Sequence, residues 1–138
     1  MGEYRFFHSI EVRYGDIDAQ RHVNNSRHFT YMEQARSKYI RELGLWEGSN
    51  FDAIGIILAE QSCRYLSPIQ LDSNIKVGVR TVRLGEKSIE TQYSIQDAKT
   101  GDELAVGQAI LVAYDYQLGR SIPILENWRE IITAFEDI

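Results

Sequence analysis

The feature that most constrains how this chain folds is one long helical pattern followed by strand patterns with no second long helix between them. From Asn25 onward, apolar side chains recur at the spacing of a single helix face: Phe29, Met32, Ala35, Tyr39, Ile40 and Leu43. Asn24 or Asn25 suits the N-cap, and Gly44 suits the position just past the end. The pattern predicts a helix of about five turns.

Alternating residues predict one strand before this helix and four after it. His8, Ile10, Val12 and Tyr14 share one face of the first strand. The later strands are predicted at roughly 56–66, 74–84, 87–97 and 103–115. In the last of them the apolar alternation marks Leu104, Val106, Ile110, Val112 and Tyr114, with Gln108 as an exception.

The connections between the later strands are short, and the chain ends in another helical pattern. Residues 84–87 and 98–103 suit antiparallel hairpins. Helical spacing near the end predicts a short closing helix that carries Trp128, Ile131, Ile132 and Phe135.

This order of elements predicts an α+β fold. The long helix cannot be a crossover between parallel strands, because the later strands follow one another directly. It must pack on one face of a curved antiparallel sheet of about five strands. The 138 residues fit a single domain, 1–138, and the open sheet edges invite self-association.

Charge and composition exclude several classes of partner. The formal net charge is −5, whereas nucleic-acid and anionic-membrane binders usually carry a basic surplus. No apolar run approaches the ~20 residues of a membrane span. The N-terminus lacks the apolar core of a secretory signal, and the lone Cys63 excludes an internal disulfide. We therefore expect a cytoplasmic protein.

The polar stretch before the long helix resembles a known family. "VRYGDIDAQRHVNNSRHFTYMEQAR" (12–36) is similar to the acyl-CoA thioesterases of the hotdog fold, of the 4-hydroxybenzoyl-CoA thioesterase type. Their pattern is a strand ending in Asp-x-Asp, a turn often containing Gly-His-Val-Asn-Asn, and a long helix with an acidic residue before Ala-x-x. "RYLSPIQLDSNIKV" (64–77) looks like the family's second strand.

The resemblance implies an enzyme that hydrolyses an acyl-CoA to free acid and CoA. Coenzyme A is then part of the substrate, and neither a separate cofactor nor a metal is expected. The resemblance also implies a homodimer whose sites are built from both chains, and a homotetramer is plausible by repetition of a two-fold interface.

Thioester hydrolysis makes modest demands on an active site. The leaving thiol titrates near ~8.5, so it departs without much help from a general acid. One carboxylate and an oxyanion site are enough. The sequence contains no Gly-x-Ser-x-Gly, His-Glu-x-x-His or Cys-x-x-Cys motif that would indicate other hydrolytic or redox chemistry.

Asp18 stands where the resembling family carries its catalytic aspartate. It is expected to act as nucleophile or as general base on water, and the sequence leaves both routes open. The ordinary alternative is a turn or capping residue. Asp16 is expected to bind loop amides, and Glu33 on the long helix is the back-up carboxylate.

Two further polar residues of the turn are candidate site residues. His22 is expected either to orient the turn or to contact substrate, with a structural imidazole as the alternative. Asn25 is expected to cap the helix together with Asn24, and one of the two to reach the active site. Gln20-Arg21 stands where the family often has glycine, so either the turn differs or Arg21 is strained.

The remaining candidates would bind the two ends of the substrate. Gly55 precedes the second strand, where the resemblance implies a backbone amide that polarises the thioester carbonyl. Lys87 and Ser88 follow a turn where the family often places phosphate contacts, and Arg83 and Arg120 are expected to join them. The alternative for these charges is an ordinary solvated hairpin.

Two other functions stay open for such a sequence. One is a hotdog hydratase or dehydratase, which would need an acid–base pair such as Asp18 and His22. The other is a non-catalytic acyl-CoA-binding module. The sequence gives neither the acyl chain length nor a choice between coenzyme A and acyl carrier protein.

Overall fold

A computed structural model describes residues 3–48 and 54–138. The elements run β1 (Phe6–Glu11), α1 (Asn25–Glu42), β2 (Ile54–Tyr65), β3 (Asn74–Leu84), β4 (Ser88–Asp97), β5 (Glu103–Asp115), β6 (Arg120–Ser121) and α2 (Glu126–Glu136). A short 3-10 turn, Tyr14–Asp16, follows β1. The predicted α+β architecture is confirmed, with β6 as an addition that the sequence pattern missed.

The sheet is antiparallel throughout and has the strand order β1-β3-β4-β5-β2, with β6 paired to the end of β5. Strands β1 and β2 are therefore its two edges. Register shifts interrupt β2 between Leu58 and Glu60 and β3 between Thr81 and Arg83. Bulges of this kind increase twist and bend the strand, so the sheet curves around one face.

Helix α1 lies on that inner face and begins and ends as predicted. The side-chain oxygen of Asn24 accepts a hydrogen bond from the backbone N–H of Ser26 at 2.9 Å, which identifies Asn24 as the N-cap. Gly44 has φ 77°, the left-handed conformation that ends many helices. Met32, Ala35 and Tyr39 of the predicted stripe are buried. The helix also buries His28, Tyr31 and Arg36, which its apolar pattern does not predict.

The prediction for the face of β5 was wrong. The side chains buried beneath α1 are Ala105, Ala109, Leu111 and Ala113, not the bulkier set that alternates with them. The Met32 side chain of α1 lies directly over this face of β5. A Cβ added to Gly107 would come within 2.6 Å of the Met32 sulfur, so Met32 would have to shift to admit a larger residue there.

Tyr14 does not share the buried face of β1. The strand ends at Glu11 and the chain enters the 3-10 turn, which leaves Tyr14 85% exposed. At the other terminus, α2 buries Trp128 and Ile132 as predicted. Neither helix in the described ranges is long and apolar enough to span a membrane.

Candidate active site

Asp16 holds the turn that precedes α1. Its buried carboxylate accepts hydrogen bonds from the Arg13 backbone N–H at 3.1 Å and from the Tyr31 hydroxyl at 2.7 Å. Burial alone would raise the pKa of Asp16, but the hydrogen bonds from Tyr31 and Arg13 outweigh it and lower that pKa. Asp16 therefore binds a loop amide as expected, and it also ties the turn to the helix.

Asp18 is the more accessible of the two aspartates. Its Oδ2 accepts a hydrogen bond from the Asn24 side-chain amide and its Oδ1 one from the Gln20 backbone N–H, both at 2.8 Å. The Asn24 contact and then the Gln20 contact lower the pKa of Asp18. The group is thus a carboxylate at neutral pH, and each oxygen retains capacity to accept another hydrogen bond.

Asn24 links this carboxylate to the start of the helix. The side-chain oxygen of Asn24 caps α1, and its side-chain nitrogen donates a hydrogen bond to Asp18. The backbone N–H of Asn24 also donates to the Asp16 carbonyl at 2.8 Å. Asn25, by contrast, is the first helical residue and is exposed. Of the two asparagines, the one that serves both as cap and as neighbour of Asp18 is Asn24.

Of the two alternatives for Gln20-Arg21, a turn of another shape or a strained Arg21, the structure has the strained residue. Arg21 has φ 70°, in the left-handed region where a side chain costs roughly 1–2 kcal/mol. The turn closes through a hydrogen bond from the Arg21 N–H to the Asp18 carbonyl at 3.0 Å. The backbone thus keeps the shape that a glycine would favour, although the sequence has arginine.

A cleft of about 750 Å³ opens beside Asp18. Its lining includes Asp18, His22, Asn25, His28, Tyr65 and Pro68. The Tyr65 hydroxyl donates to the Asn25 carbonyl at 3.0 Å, so the far end of β2 is fastened to the start of α1. His22 and Asn25 thus line the same cleft as Asp18, and their roles there stay predictions.

His28 is a residue of this cleft that the sequence did not single out. Burial lowers the pKa of its imidazole, and the nearby carbonyls of Asn24 and Asn25 offset this only in part. In the described part of the chain, its Nδ1 makes no hydrogen bond of good geometry. The Tyr65 ring packs edge-on against it at 4.7 Å. We therefore infer that the His28 imidazole is neutral and packed against Tyr65.

Gly55 and Glu33 lie in a different place from Asp18. Both line a second cavity, of about 410 Å³, that lies between α1, the sheet and α2. Gly55 pairs with Tyr114 near the start of β2, whereas the Asp18 cleft adjoins Tyr65 at its end. Ten residues of β2 separate these points, about 33 Å of extended strand. Within one chain, Asp18 and Gly55 are not brought together.

The basic candidates gather at the Gly55 end of the sheet. The Lys87 carbonyl accepts from the Ala113 N–H at 2.9 Å, and Arg120 pairs with Asp115. Arg83 differs, because its guanidinium binds Glu90 at 2.9 Å.

Ser88 starts β4 opposite Val112, next to the Lys87 turn. The structure thus brings Lys87, Ser88 and Arg120 to one end of the sheet, and it gives Arg83 a carboxylate partner within the chain.

In the described ranges, no group of three or more His, Cys, Asp or Glu side chains is arranged to hold a metal ion.

Comparison with known proteins places this architecture in a family. The model of the thioesterase-like superfamily matches residues 12–132. A thioesterase of Thermus thermophilus, solved with coenzyme A and zinc, is 34% identical, covers 100% of this chain and 99% of its own, and superposes with a TM-score of 0.84.

Two more distant relatives are found, one by structure and one by sequence. Slr0204 of Synechocystis, a 1,4-dihydroxy-2-naphthoyl-CoA thioesterase, has a TM-score of 0.81 at 16% identity, over 92% of this chain and 94% of its own, and so shows the fold alone. YsmA of Bacillus subtilis is 23% identical over 94% of this chain and 86% of its own length. The narrower resemblance to 4-hydroxybenzoyl-CoA thioesterases stays a prediction. The chain belongs to the thioesterase-like superfamily and has its hotdog fold.

Proposed function

We propose that this protein hydrolyses acyl-CoA thioesters and that Asp18 is its catalytic carboxylate. The observation that carries the proposal is the state of Asp18: a partly exposed carboxylate, fixed by two 2.8 Å hydrogen bonds and with a lowered pKa. Such a group is ionised and oriented before substrate arrives, which is what a nucleophile or general base requires.

Both chemical routes require only the Asp18 carboxylate and a water molecule. As a nucleophile, an Asp18 oxygen bonds to the thioester carbon and the CoA thiolate leaves, giving a mixed anhydride that water then hydrolyses. As a general base, Asp18 takes a proton from water as the oxygen of that water attacks the same carbon; the tetrahedral intermediate then expels the CoA thiolate, which takes the proton from Asp18, and the free acid is left. In both routes the carbonyl oxygen gains negative charge, and a backbone N–H such as that of Gly55 would stabilise it.

Glu33 is the weaker candidate for this role. Its side chain is 74% exposed on α1, and its carboxylate lies 3.8 Å from the Arg36 guanidinium. That distance is too long for a hydrogen bond, so the carboxylate is loosely held. A catalytic carboxylate works best when its neighbours fix its position, and Asp18 meets this condition better.

The site is proposed to form between two chains. Strand β2 is an edge of the sheet, and an antiparallel pair of edges around a two-fold axis sets the end of one strand beside the start of the other. Tyr65, next to the Asp18 cleft, would then lie near Gly55 of the partner subunit. Gly55 and Tyr65 are about 33 Å apart along β2 of one chain, but Gly55 of one chain would lie close to Tyr65 of the other.

Exposed apolar residues support an interface at this edge. Ile57 and Leu58 on β2, Tyr65 at its end and Leu66 beyond it are all among the exposed large hydrophobic residues. Unpaired strand edges of this kind invite pairing with another chain. A second copy paired along β2 would remove these apolar side chains from water and would give the unpaired N–H and C=O groups of the edge hydrogen-bond partners.

Asp18→Asn is predicted to lower turnover of an acyl-CoA at least ~100-fold, the usual loss when an acid–base or nucleophilic carboxylate is removed. Thiol release from a panel of acyl-CoAs measures it, with circular dichroism to verify the fold. Glu33→Gln is the matched control and should retain most activity. Normal turnover in Asp18→Asn together with inactive Glu33→Gln would transfer the role to Glu33. Hydration of an enoyl-CoA without thioester cleavage would favour the hydratase alternative.

Asn24→Ala is predicted to raise the pKa of Asp18 toward its ordinary value, because it removes the contact that lowers this pKa most. The carboxylate is the active form, so activity is lost as pH falls through the pKa. The acid limb of the kcat/KM profile should therefore move to higher pH, and a carbon NMR titration should show the same direction. Asn25→Ala, at the exposed neighbour, should leave both unchanged; an identical shift there would rule out the Asn24 contact as the cause.

Lys87→Ala and Arg120→Ala are predicted to raise KM for acyl-CoA more than they lower kcat, since phosphate contacts bind ground state and transition state alike. The effect should shrink at high salt. Lys99→Ala, on the hairpin at the opposite end of the sheet, is the matched control. An unchanged KM in both variants would mean that the nucleotide binds elsewhere.

Mixing two inactive variants should restore activity if the site is shared. Asp18→Asn supplies an intact Gly55, and Gly55→Val supplies an intact Asp18. Random exchange makes half of the dimers mixed, each with one intact site, so about a quarter of wild-type activity is expected. Activity of a monomer, established by light scattering at assay concentration, would contradict the shared site.

A further inference from the structure

The cavity that contains Gly55 has one polar wall. Most of its lining is apolar, including Ile89, Leu111, Trp128 and Ile132. Arg36, Thr81 and Thr91 face the same space. Buried polar groups are costly unless they find partners, so their presence in an apolar cavity calls for a reason.

Arg36 is the most demanding of these groups. Its side chain is only 8% exposed, yet a guanidinium carries five N–H donors. In the described part of the chain, Nη1 donates to the Tyr93 hydroxyl at 3.1 Å. The Glu33 carboxylate, 3.8 Å from Nη2 and mostly in water, is too far to accept a hydrogen bond. Arg36 lines the cavity, and several N–H groups of this largely buried cation therefore remain available to an acceptor there.

The two threonines extend this polar wall across the sheet. Thr81 and Thr91 are directly opposite each other on β3 and β4. The Thr91 hydroxyl lies 2.8 Å from that of Tyr93, and the Thr81 hydroxyl 2.9 Å from that of Tyr39. The Thr91 hydroxyl also donates to the Ala109 carbonyl at 3.3 Å. The threonines thus hold the hydroxyls of Tyr93 and Tyr39 in place, and Tyr93 is the hydrogen-bond partner of Arg36.

The surrounding charges define what kind of group fits. Glu33 lies on the cavity wall, and the Glu136 carboxylate accepts from the Thr81 N–H at 2.9 Å and from the Tyr39 hydroxyl. Thr81 and Tyr39 also line the cavity, so two carboxylates border the space into which Arg36 brings its positive charge. A further anion would add a third negative charge in a place of low polarity, which is unfavourable. An uncharged oxygen can accept from Arg36 without this cost.

We propose that Arg36 makes this protein select acyl groups that carry an uncharged oxygen substituent, such as a hydroxyl or ketone, over plain hydrocarbon acyl groups. The inference rests on the proposed function, because it places the acyl half of the substrate in the cavity behind Gly55. A hydrocarbon acyl chain in the cavity would exclude water from the N–H donors of Arg36 without offering them an acceptor. A site built to hydrogen-bond a substrate oxygen discriminates strongly against the analogue that lacks it.

The test compares hexanoyl-CoA with isomers of hydroxyhexanoyl-CoA that carry the hydroxyl at successive carbons, and with adipoyl-CoA. For at least one isomer, kcat/KM should exceed that of hexanoyl-CoA at least about tenfold, the scale of a hydrogen bond to a charged group, and adipoyl-CoA should be poor. In Arg36→Met the ratio should fall to about one while hexanoyl-CoA is still hydrolysed. Lys38→Met, which removes a positive charge from an exposed part of the same helix, should keep the wild-type ratio.

Thr91→Val provides a second variant that conserves volume should Arg36→Met not fold, and it should reduce the ratio several-fold. Calorimetry with CoA thioethers, which cannot be hydrolysed, measures the same preference as binding. Preference for the hydroxylated thioether without hydrolysis of any acyl-CoA would support the inference and reject the proposed function. Hydrolysis with equal use of plain and hydroxylated chains, or with adipoyl-CoA preferred, would overturn the inference alone.

Discussion

The packing of α1 on the inner face of the sheet determines where the polar turn and the cavity lie. The helix lies chiefly over β3 and β1, and the Met32 side chain reaches β5 at Gly107, between the buried Ala105 and Ala109. In this position the first turn of the helix meets the end of β2, where Tyr65 donates to Asn25. The middle of the helix covers the cavity with Arg36 and Tyr39. This packing thus positions both the polar turn and the cavity.

The same packing explains what could be predicted from the sequence. The bounds of α1 follow from a regular apolar stripe with Asn24 before it and Gly44 after it, and both residues act locally. The face of β5 was not predictable in this way, because apolar alternation records bulk, whereas the residues beneath Met32 are small. Strand β6, with two residues, is too short for any alternation to indicate it.

The polar turn was predictable in its position but not in its contacts. The missing glycine indicated either a different turn or a strained Arg21, and the structure has the second; such an alternative can be stated from sequence because backbone conformation is a local property. The partners of buried polar residues are not local. Tyr31 reaches Asp16 from 15 positions away, and Arg36 reaches Tyr93 over 57. Such pairs form only when elements distant in sequence meet. From the helical pattern alone, Tyr31 is therefore interpreted as an ordinary aromatic residue and Arg36 as an ordinary surface charge.

The proposed substrate has a charged half and an acyl half joined by one reactive bond, and the proposal assigns each half to a separate surface. Lys87, Ser88 and Arg120 lie at the Gly55 end of the sheet, and Gly55 itself lines the cavity. The ionised Asp18 lies at the other end of β2, in a more polar cleft. This separation keeps the carboxylate away from the low-polarity cavity, where burial would raise its pKa. The proposed second copy, placed antiparallel along β2, would bring Asp18 to the cavity without moving it from the turn that keeps it ionised. In such an arrangement activity depends on protein concentration, because association of the chains assembles the site.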